Sequence, residues 1–551
     1  MRKTEEQMES FKISGNIVDL VKEKIFKGSV HIENGHVKSI IADKSVTETQ
    51  FILPGLIDSH IHIESSMLIP SEFAGVAVTH GTVATVSDPH EIANVLGIDG
   101  IRYMIANGKS VPFKFYFGAS ACVPATSFET AGSKIGLKEL EELLSMDEIK
   151  YLSEMMNFPG VINQDDFEMK KLEIAKRHGK PADGHAPGVK GEDAKKYIEA
   201  GISTDHECFT MEEALEKIKY GMKIQIREGS AAKNFEALAD LLQNHSDKVM
   251  FCSDDKHPDD LVEGHINQMY KRAVAKGYDP LKVLKSIVVN PAEHYKLDVG
   301  LLQNGDAADF IIVDFLEDFN VLATYIDGIK VYNGHDSLIQ SVEGDTPNLF
   351  KAKKLNTNHI SIPYNGGKLK VIKTLDGELI TNLLEVEPQV KDSKVISDIE
   401  EDVLKLVVLN RYEEAMPAIG FIKGFGFQKG AIASSVAHDS HNIVAVGVTD
   451  EEITKAINLV IEEKGGVAAV CDNNEKVLPL PVAGLMSNGD ARQVAAKYHE
   501  IDKLAHQMGS KLRAPFMTLS FMSLLVIPDL KLSDKGLFDG TTFSFTNLFT
   551  K

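Results

Sequence analysis

Apolar and polar residues alternate with a period of two at both flanks of a long central region. Between Gly15 and Ile41 the run NIVDLVKEKIFKGSVHIENGHVKSI is broken by Gly28 and by Asn34-Gly35. The Asn-Gly pair closes two-residue hairpins because both residues tolerate positive φ. A second run of this kind, DAADFIIVDFLEDFNVLATYIDGIKVYNG, occupies 306–334. The two flanks are expected to pair into one small β-domain.

Between them, strand-like and helix-like stretches take turns. The pattern predicts strands at Phe51–Ile57, Thr82–Ser87, Lys114–Ala119, Tyr151–Met155, Lys180–Gly184, Ile202–Thr204, Lys223–Ile226 and Val249–Cys252. Helical spacing marks Leu137–Leu144, Asp193–Ala200, Met211–Tyr220 and Phe235–Leu242. Eight strands with crossovers in about 250 residues predict a (β/α)8 barrel of the TIM type, with an open doubly wound sheet as the alternative. After Val342 comes a mixed α+β region, with a hairpin about Asp376-Gly377 and amphipathic helices at Asp450–Glu463 and Asp490–Met508. The expected α/β architecture is a β-sandwich-like domain from 1–52 and 301–341, a barrel over 53–300, and an α+β C-terminal domain over 342–551.

A length of 551 residues fits this division, because a single core stops growing near about 250–300 residues. Acidic residues outnumber basic ones by 80 to 59, a net charge of −21, which disfavours nucleic acid as a partner. The four cysteines, Cys122, Cys208, Cys252 and Cys471, form no CxxC pair, so neither a disulfide framework nor a zinc ribbon is expected. The opening MRKTEEQMES has no apolar signal-peptide core, and Phe516–Pro528 is too short to span a bilayer. These features point to a cytoplasmic enzyme with no membrane partner; a homo-oligomer, in the simplest case a dimer, is expected.

The chemistry lies in the residues just beyond each strand, since barrel active sites form at the C-terminal strand ends. After the first strand come Asp58, His60, His62 and Glu64; after the second, Asp88, His90 and Glu91. The fourth carries Glu154, the fifth ends at His185, and the sixth at Asp205-His206-Glu207. Arg227-Glu228 come after the seventh and Asp254-Asp255 after the eighth. His60 and His62 alternate along an extended chain and so face one side. An HxH pair alone is unspecific, but four histidines, a glutamate and an aspartate at one barrel mouth suffice for two first-row cations. Such a pair would lower the pKa of water from about 15.7 to near neutrality. Glu154 could lie between the cations, Asp254 could take the proton of the attacking hydroxide, and His90 could shuttle a proton.

The motifs PGLIDSHIHIESSM (54–67), SDPHEIANVLG (87–97), SEMMNFPGVI (153–162), DGHAPG (183–188), IREGSAA (226–232) and SDDKHP (253–258) resemble the bacterial adenine deaminases of the amidohydrolase superfamily in order and spacing. PLPVAGLMS (479–487) extends the resemblance into the C-terminal region. It implies hydrolysis of adenine to hypoxanthine and ammonia in purine salvage, through a hydroxide that attacks C6. It implies two divalent metal ions, manganese or iron with zinc as a further option. The implied ligands are His60, His62, Glu154, His185, His206 and Asp254.

No lysine occupies the fourth-strand motif, which counts against dihydroorotases and hydantoinases, and the PCxxC motif of the cytidine-deaminase fold is missing. Cys208 comes after Glu207 where the family often has serine. Arg227, Glu228, Ser230 and Glu91 are candidates for contacts to the purine, although an Arg227–Glu228 ion pair would be purely structural. Glu64 and Glu91 could act on substrate or orient the ligand histidines. His257 is expected in a loop, and His438-Asp439-Ser440-His441-Asn442 is expected to form a solvated turn rather than a cover for the barrel mouth.

Overall fold

In the computed structural model, which describes residues 10–550, the two β-rich flanks form one seven-stranded sheet. Its N-terminal strands are β1 (Phe11–Asp19), β2 (Lys24–Glu33), β3 (His36–Ala42) and β4 (Phe51–Pro54). Asn34 and Gly35 both adopt positive φ, 53° and 79°, in the tight turn between β2 and β3. Residues 1–9, which hold most of the opening segment, lie outside the described residues.

The barrel strands are β5 (Leu56–Ile61), β6 (Thr82–Ser87), β7 (Lys114–Ala119), β8 (Ile149–Met155), β9 (Ala182–Gly184), β10 (Ile202–Asp205), β11 (Lys223–Arg227) and β12 (Val249–Cys252). Each pairs in parallel with its successor. The ring closes where Asp254 bridges Ile61: Asp254 N donates to His60 O at 3.0 Å and His62 N donates to Asp254 O at 3.3 Å. The chain then returns to the small sheet as β13 (Phe310–Val313), β14 (Val321–Ile326) and β15 (Ile329–Tyr332), with β13 antiparallel to β4. That pairing stitches the two flanks together across the intervening barrel.

Two expectations need correction. The single strand expected at Phe51–Ile57 is two, β4 in the small sheet and β5 in the barrel. They part at Gly55, where an added Cβ would stand 2.2 Å from Val83 Cγ1. The helix expected at Phe235–Leu242 is also two, Phe235–Leu238 and Leu241–Asn244. The break lets Leu238, Leu241 and Leu242 all reach the core.

The C-terminal region is built on an eight-stranded sheet, including the hairpin Leu369–Thr374 and Thr381–Val386 with Gly377 at positive φ in its turn. Its central strands Val403–Leu409, Ala431–Ser434, Ile443–Gly447 and Gly466–Cys471 are buried on both faces. Ala433, Ala445 and Ala468 pack on one face with Ile453, Ile457 and Val460 of helix Asp450–Glu462. Ile432, Val446 and Ala469 on the other face share a core with Tyr498, Met517 and barrel residues such as Ile61 and Val86. A bridge between Leu68 and Ser487 ties the segment after β5 to the PLPVAGLMS motif. Among the described residues, no helix is long and apolar enough to cross a membrane.

A buried ion cluster fixes the loops that leave β9 and β10. Lys217 Nζ pairs with Asp205 and donates to Glu213 Oε1 and Ala186 O, both at 2.8 Å. Asp205 Oδ1 accepts the amides of Ala186 and Glu207 at 3.3 and 3.0 Å, so His185 and His206 lie within two residues of this knot. Removing the cation would strand two buried carboxylates at a cost of about 3–5 kcal/mol. Lys217→Met should therefore lower the thermal midpoint by about 3 °C or more in scanning calorimetry. An unchanged midpoint would show that the knot bears no load.

Candidate metal centre and its roof

Ligand-type side chains from five strand ends meet at the barrel mouth. His60 ends its side chain on the same side as His62 because β5 is extended there, and their Nε2 atoms stand 3.2 Å apart. Barrel closure brings Asp254 Oδ1 to 3.5 Å from His60 Nε2 and 3.2 Å from His62 Nε2. Glu154, at the end of β8, sits between two groups. Its Oε1 is 3.3 Å from His62 Nε2, and its Oε2 is 2.8 Å from His185 Nδ1 and 3.4 Å from His206 Nε2. The His60 and His206 rings stack at 4.2 Å. All six residues are buried.

This donor set fits cations. Ligand atoms bonded at about 2.0–2.2 Å in tetrahedral geometry stand roughly 3.3–3.6 Å apart, close to most of these separations. His60, His62 and Asp254 form one group whose donor atoms all lie within 4.8 Å of one another. Glu154, His185 and His206 form a neighbouring group through the Glu154 contacts. His62 Nδ1 lies 3.1 Å from the Asp88 carbonyl, a contact that leaves the Nε2 lone pair directed at the cluster.

Burial opposes ionisation of Asp254, but Arg227 Nη1 at 2.8 Å and the hydrogen bonds to His60 and His62 outweigh it and hold the carboxyl well below its ordinary range. Glu207 is likewise buried yet driven down by Arg227, which grips it with both Nη1 and Nη2. Glu207 also lies 3.4 Å from His206 Nε2 and 3.6 Å from His185 Nδ1. The Arg227–Glu228 ion pair considered from the sequence is thus replaced by Arg227–Glu207, since side chains of adjacent strand residues point to opposite faces. Glu228 instead accepts from Arg272 Nη1 at 2.6 Å. Ser230 donates to Asp260 Oδ2 at 2.5 Å. Neither Glu228 nor Ser230 lines the cavity above the cluster, so neither is placed to touch a purine there.

Glu64 makes no hydrogen bond or ion pair with His60, His62, His185 or His206. It accepts the Ile92 amide at 3.2 Å, near the start of helix His90–Leu96, and burial pushes its carboxyl up to about 7. His257 precedes helix Pro258–Glu263, as expected of a loop residue, but it is buried with Nδ1 2.5 Å from Tyr498 Oη. His90 does reach the cavity. Its Nδ1 is 3.1 Å from Asp88 Oδ2 and 3.4 Å from Glu154 Oε1.

The largest departure concerns 438–442. Rather than a solvated turn, this C-terminal segment is buried against the barrel mouth. His438 Nδ1 binds Glu91 Oε1, and His441 Nε2 contacts Glu91 Oε2. Asp439 Oδ1 stands 3.6 Å from His90 Nε2. Water satisfies polar loops in general, whereas here a buried carboxylate of the barrel does so. With Met156, Leu379, Phe521 and Leu524 these residues close the cavity from above. Glu207 stood among the strand-end residues without a role of its own, and His438, Asp439 and His441 are not among the site residues expected from the sequence. The signal available was the density of polar residues in HDSHN, inside a stretch otherwise apolar enough for strands.

The amidohydrolase family profile matches residues 51–331, and that of the adenine deaminase C-terminal domain matches residues 378–544. The chain is 56% identical over 534 residues to a protein named adenine deaminase from Sulfurovum sp. (strain NBC37-1), covering 97% of this chain and 98% of that one. It is 51% identical to one of that name from the archaeon Methanosarcina mazei, covering 98% and 99%, so the likeness is not confined to bacteria. A third, from Borreliella burgdorferi, is 47% identical and is covered in full.

Glu91 is clamped by both roof histidines, so Glu91→Gln should loosen the roof. Amide hydrogen exchange across 436–442 is expected to accelerate by about tenfold or more, the loss of a charge-assisted hydrogen bond. Unchanged exchange would mean that the segment is held by packing alone.

Proposed function

The chain belongs to the adenine deaminase family of amidohydrolases and is a hydrolase that converts adenine and water to hypoxanthine and ammonia, and we propose that it does so at the buried cluster beneath the 438–442 segment. The observation that carries the assignment of the site is the meeting of His60, His62, Glu154, His185, His206 and Asp254 within hydrogen-bond range of one another. In this reading those six residues would hold two divalent cations. When bound, the cations supply the Lewis acidity that makes water nucleophilic near neutral pH.

The remaining work falls to side chains. Asp254 presents Oδ1 to His60 and His62 while Arg227 engages Oδ2, so the carboxylate is kept ionised and oriented to take a proton from the attacking water. Its proton acceptance lets the water oxygen bond to C6 while a ring nitrogen is protonated. His90, oriented by Asp88 through Nδ1, turns Nε2 toward the roof and can deliver a proton to the departing nitrogen. Phe521, Leu379, Leu524 and Met156 supply apolar walls suited to a flat heteroaromatic ring and exclude bulk water. Glu91 serves this site by anchoring the roof. Manganese or iron as the metals, a dimer and a cytoplasmic location are finer parts of the same proposal and rest on the resemblance.

Reconstituted enzyme should release ammonia from adenine with hypoxanthine in equal amount, and should turn over guanine, cytosine, N-acetyl sugars and cyclic amides far more slowly. Glu154→Ala and Asp254→Ala should each lose at least about 10²-fold in kcat while circular dichroism stays unchanged. Elemental analysis should find two divalent ions per wild-type chain and fewer in these variants. Full activity in both variants would overturn the site.

A further inference from the structure

The carboxylates around the cavity are almost all committed. Glu91 is held by two histidines, Glu207 by Arg227, Asp254 by Arg227 and two imidazoles, and Glu154 by four imidazoles. Asp255 accepts from Ser65 Oγ at 2.5 Å. Asp439 is different. It is 2% exposed, it lines the cavity, and its Oδ2 has no hydrogen-bond partner. Its Oδ1 is 3.6 Å from His90 Nε2, beyond hydrogen-bond length, and that nitrogen is also without a hydrogen-bond partner. A buried carboxylate oxygen left this way asks for a donor, and the residue that carries it lines the cavity.

His90 fixes where that donor would be. The same imidazole touches Glu154 Oε1 through Nδ1 at 3.4 Å, and its Nε2 stands between Glu91 Oε1 at 3.4 Å, itself already held by His438, and Asp439 Oδ1 at 3.6 Å. Asp439 is therefore one ring-width from the cluster that handles the attacking water, on the roof side of it. In deamination the nucleophile and the leaving nitrogen sit on the same carbon, so a group one ring-width from the nucleophile is placed to meet the nitrogen. That nitrogen needs an acceptor for its N–H before attack. Once the carbon is tetrahedral it needs a proton, and as ammonium it needs a counter-charge.

We propose that Asp439, supplied by the C-terminal region, binds the exocyclic amino group of adenine and then the ammonia that leaves, opposite His90. The inference rests on the deaminase reading above and adds a leaving-group subsite to it. In the step served, a bond forms between the water oxygen and C6 and the bond from C6 to the exocyclic nitrogen breaks. Of the two water protons, one ends on a ring nitrogen and one on the ammonia.

The test compares adenine with purine, the same ring system without the amino group, in wild type, Asp439→Asn and Asp439→Glu. In Asp439→Asn, kcat/KM for adenine should fall about 10- to 100-fold, the range for a charge-assisted hydrogen bond. The inhibition constant of purine should stay within about threefold of wild type, because a contact to the amino group is not made by purine. Bound metal should not change. Asp439→Glu, which keeps the charge but moves it by a methylene, should show the same split and answers the question should the asparagine variant fail to fold. A purine inhibition constant that worsens in step with adenine turnover, or an unchanged kcat/KM for adenine, would overturn the assignment alone. Absence of ammonia release by wild type would overturn the deaminase reading, and this inference with it.

Discussion

The site exists because the barrel closes between its first and last strands. Asp254 lies nearly two hundred residues beyond His60 and His62 in the chain. They become neighbours only because the segment after β12 zips in parallel onto β5, with Asp254 N on His60 O and Ile61 bridging Asp254. Asp58 bolts that seam, since one oxygen accepts the Ser253 amide at 3.1 Å and the other meets His265 Nε2 at 2.8 Å. Everything further out in the site, including the stacking of His60 on His206, inherits its geometry from this closure.

Charge is the second constraint. Burying carboxylates beside imidazoles is tolerable only where cations or donors answer each one. Arg227 answers Glu207 and Asp254 together, and Lys217 answers Asp205 and Glu213. Glu91 is answered from the C-terminal region by His438 and His441, so the barrel mouth is electrostatically complete only with that region in place. This explains physically why a barrel enzyme carries the large C-terminal sheet. Under the proposed assignment the roof is a working part of the site rather than an appendage.

Much of the fold was legible because parallel barrel strands are short apolar runs with their functional residues directly after them. β6, β7 and β12 have the limits that the apolar pattern predicts. β4 and β5 ran together in the sequence because Gly55 breaks the strand by a steric contact with Val83, which no local pattern reveals. At the site, position after each strand supplied the list of candidates, and the family resemblance picked the six expected ligands out of it. What could not be read were pairings. Arg227 turned to Glu207 rather than to its neighbour Glu228, and HDSHN found its partner in Glu91, more than three hundred residues away. Polar residues in a loop look solvated unless the distant carboxylate that desolvates them is already in view.

The central claim is that the six residues surround two cations rather than merely hydrogen-bonding to one another. Anomalous scattering from crystals of the manganese- or iron-loaded protein, collected on both sides of the metal edge, tests it directly. The account predicts two peaks within about 4 Å of each other, one beside His60, His62 and Asp254, the other beside His185 and His206, with Glu154 reaching both. A map with no peak among these residues, or with its metal bound elsewhere on the chain, would contradict it.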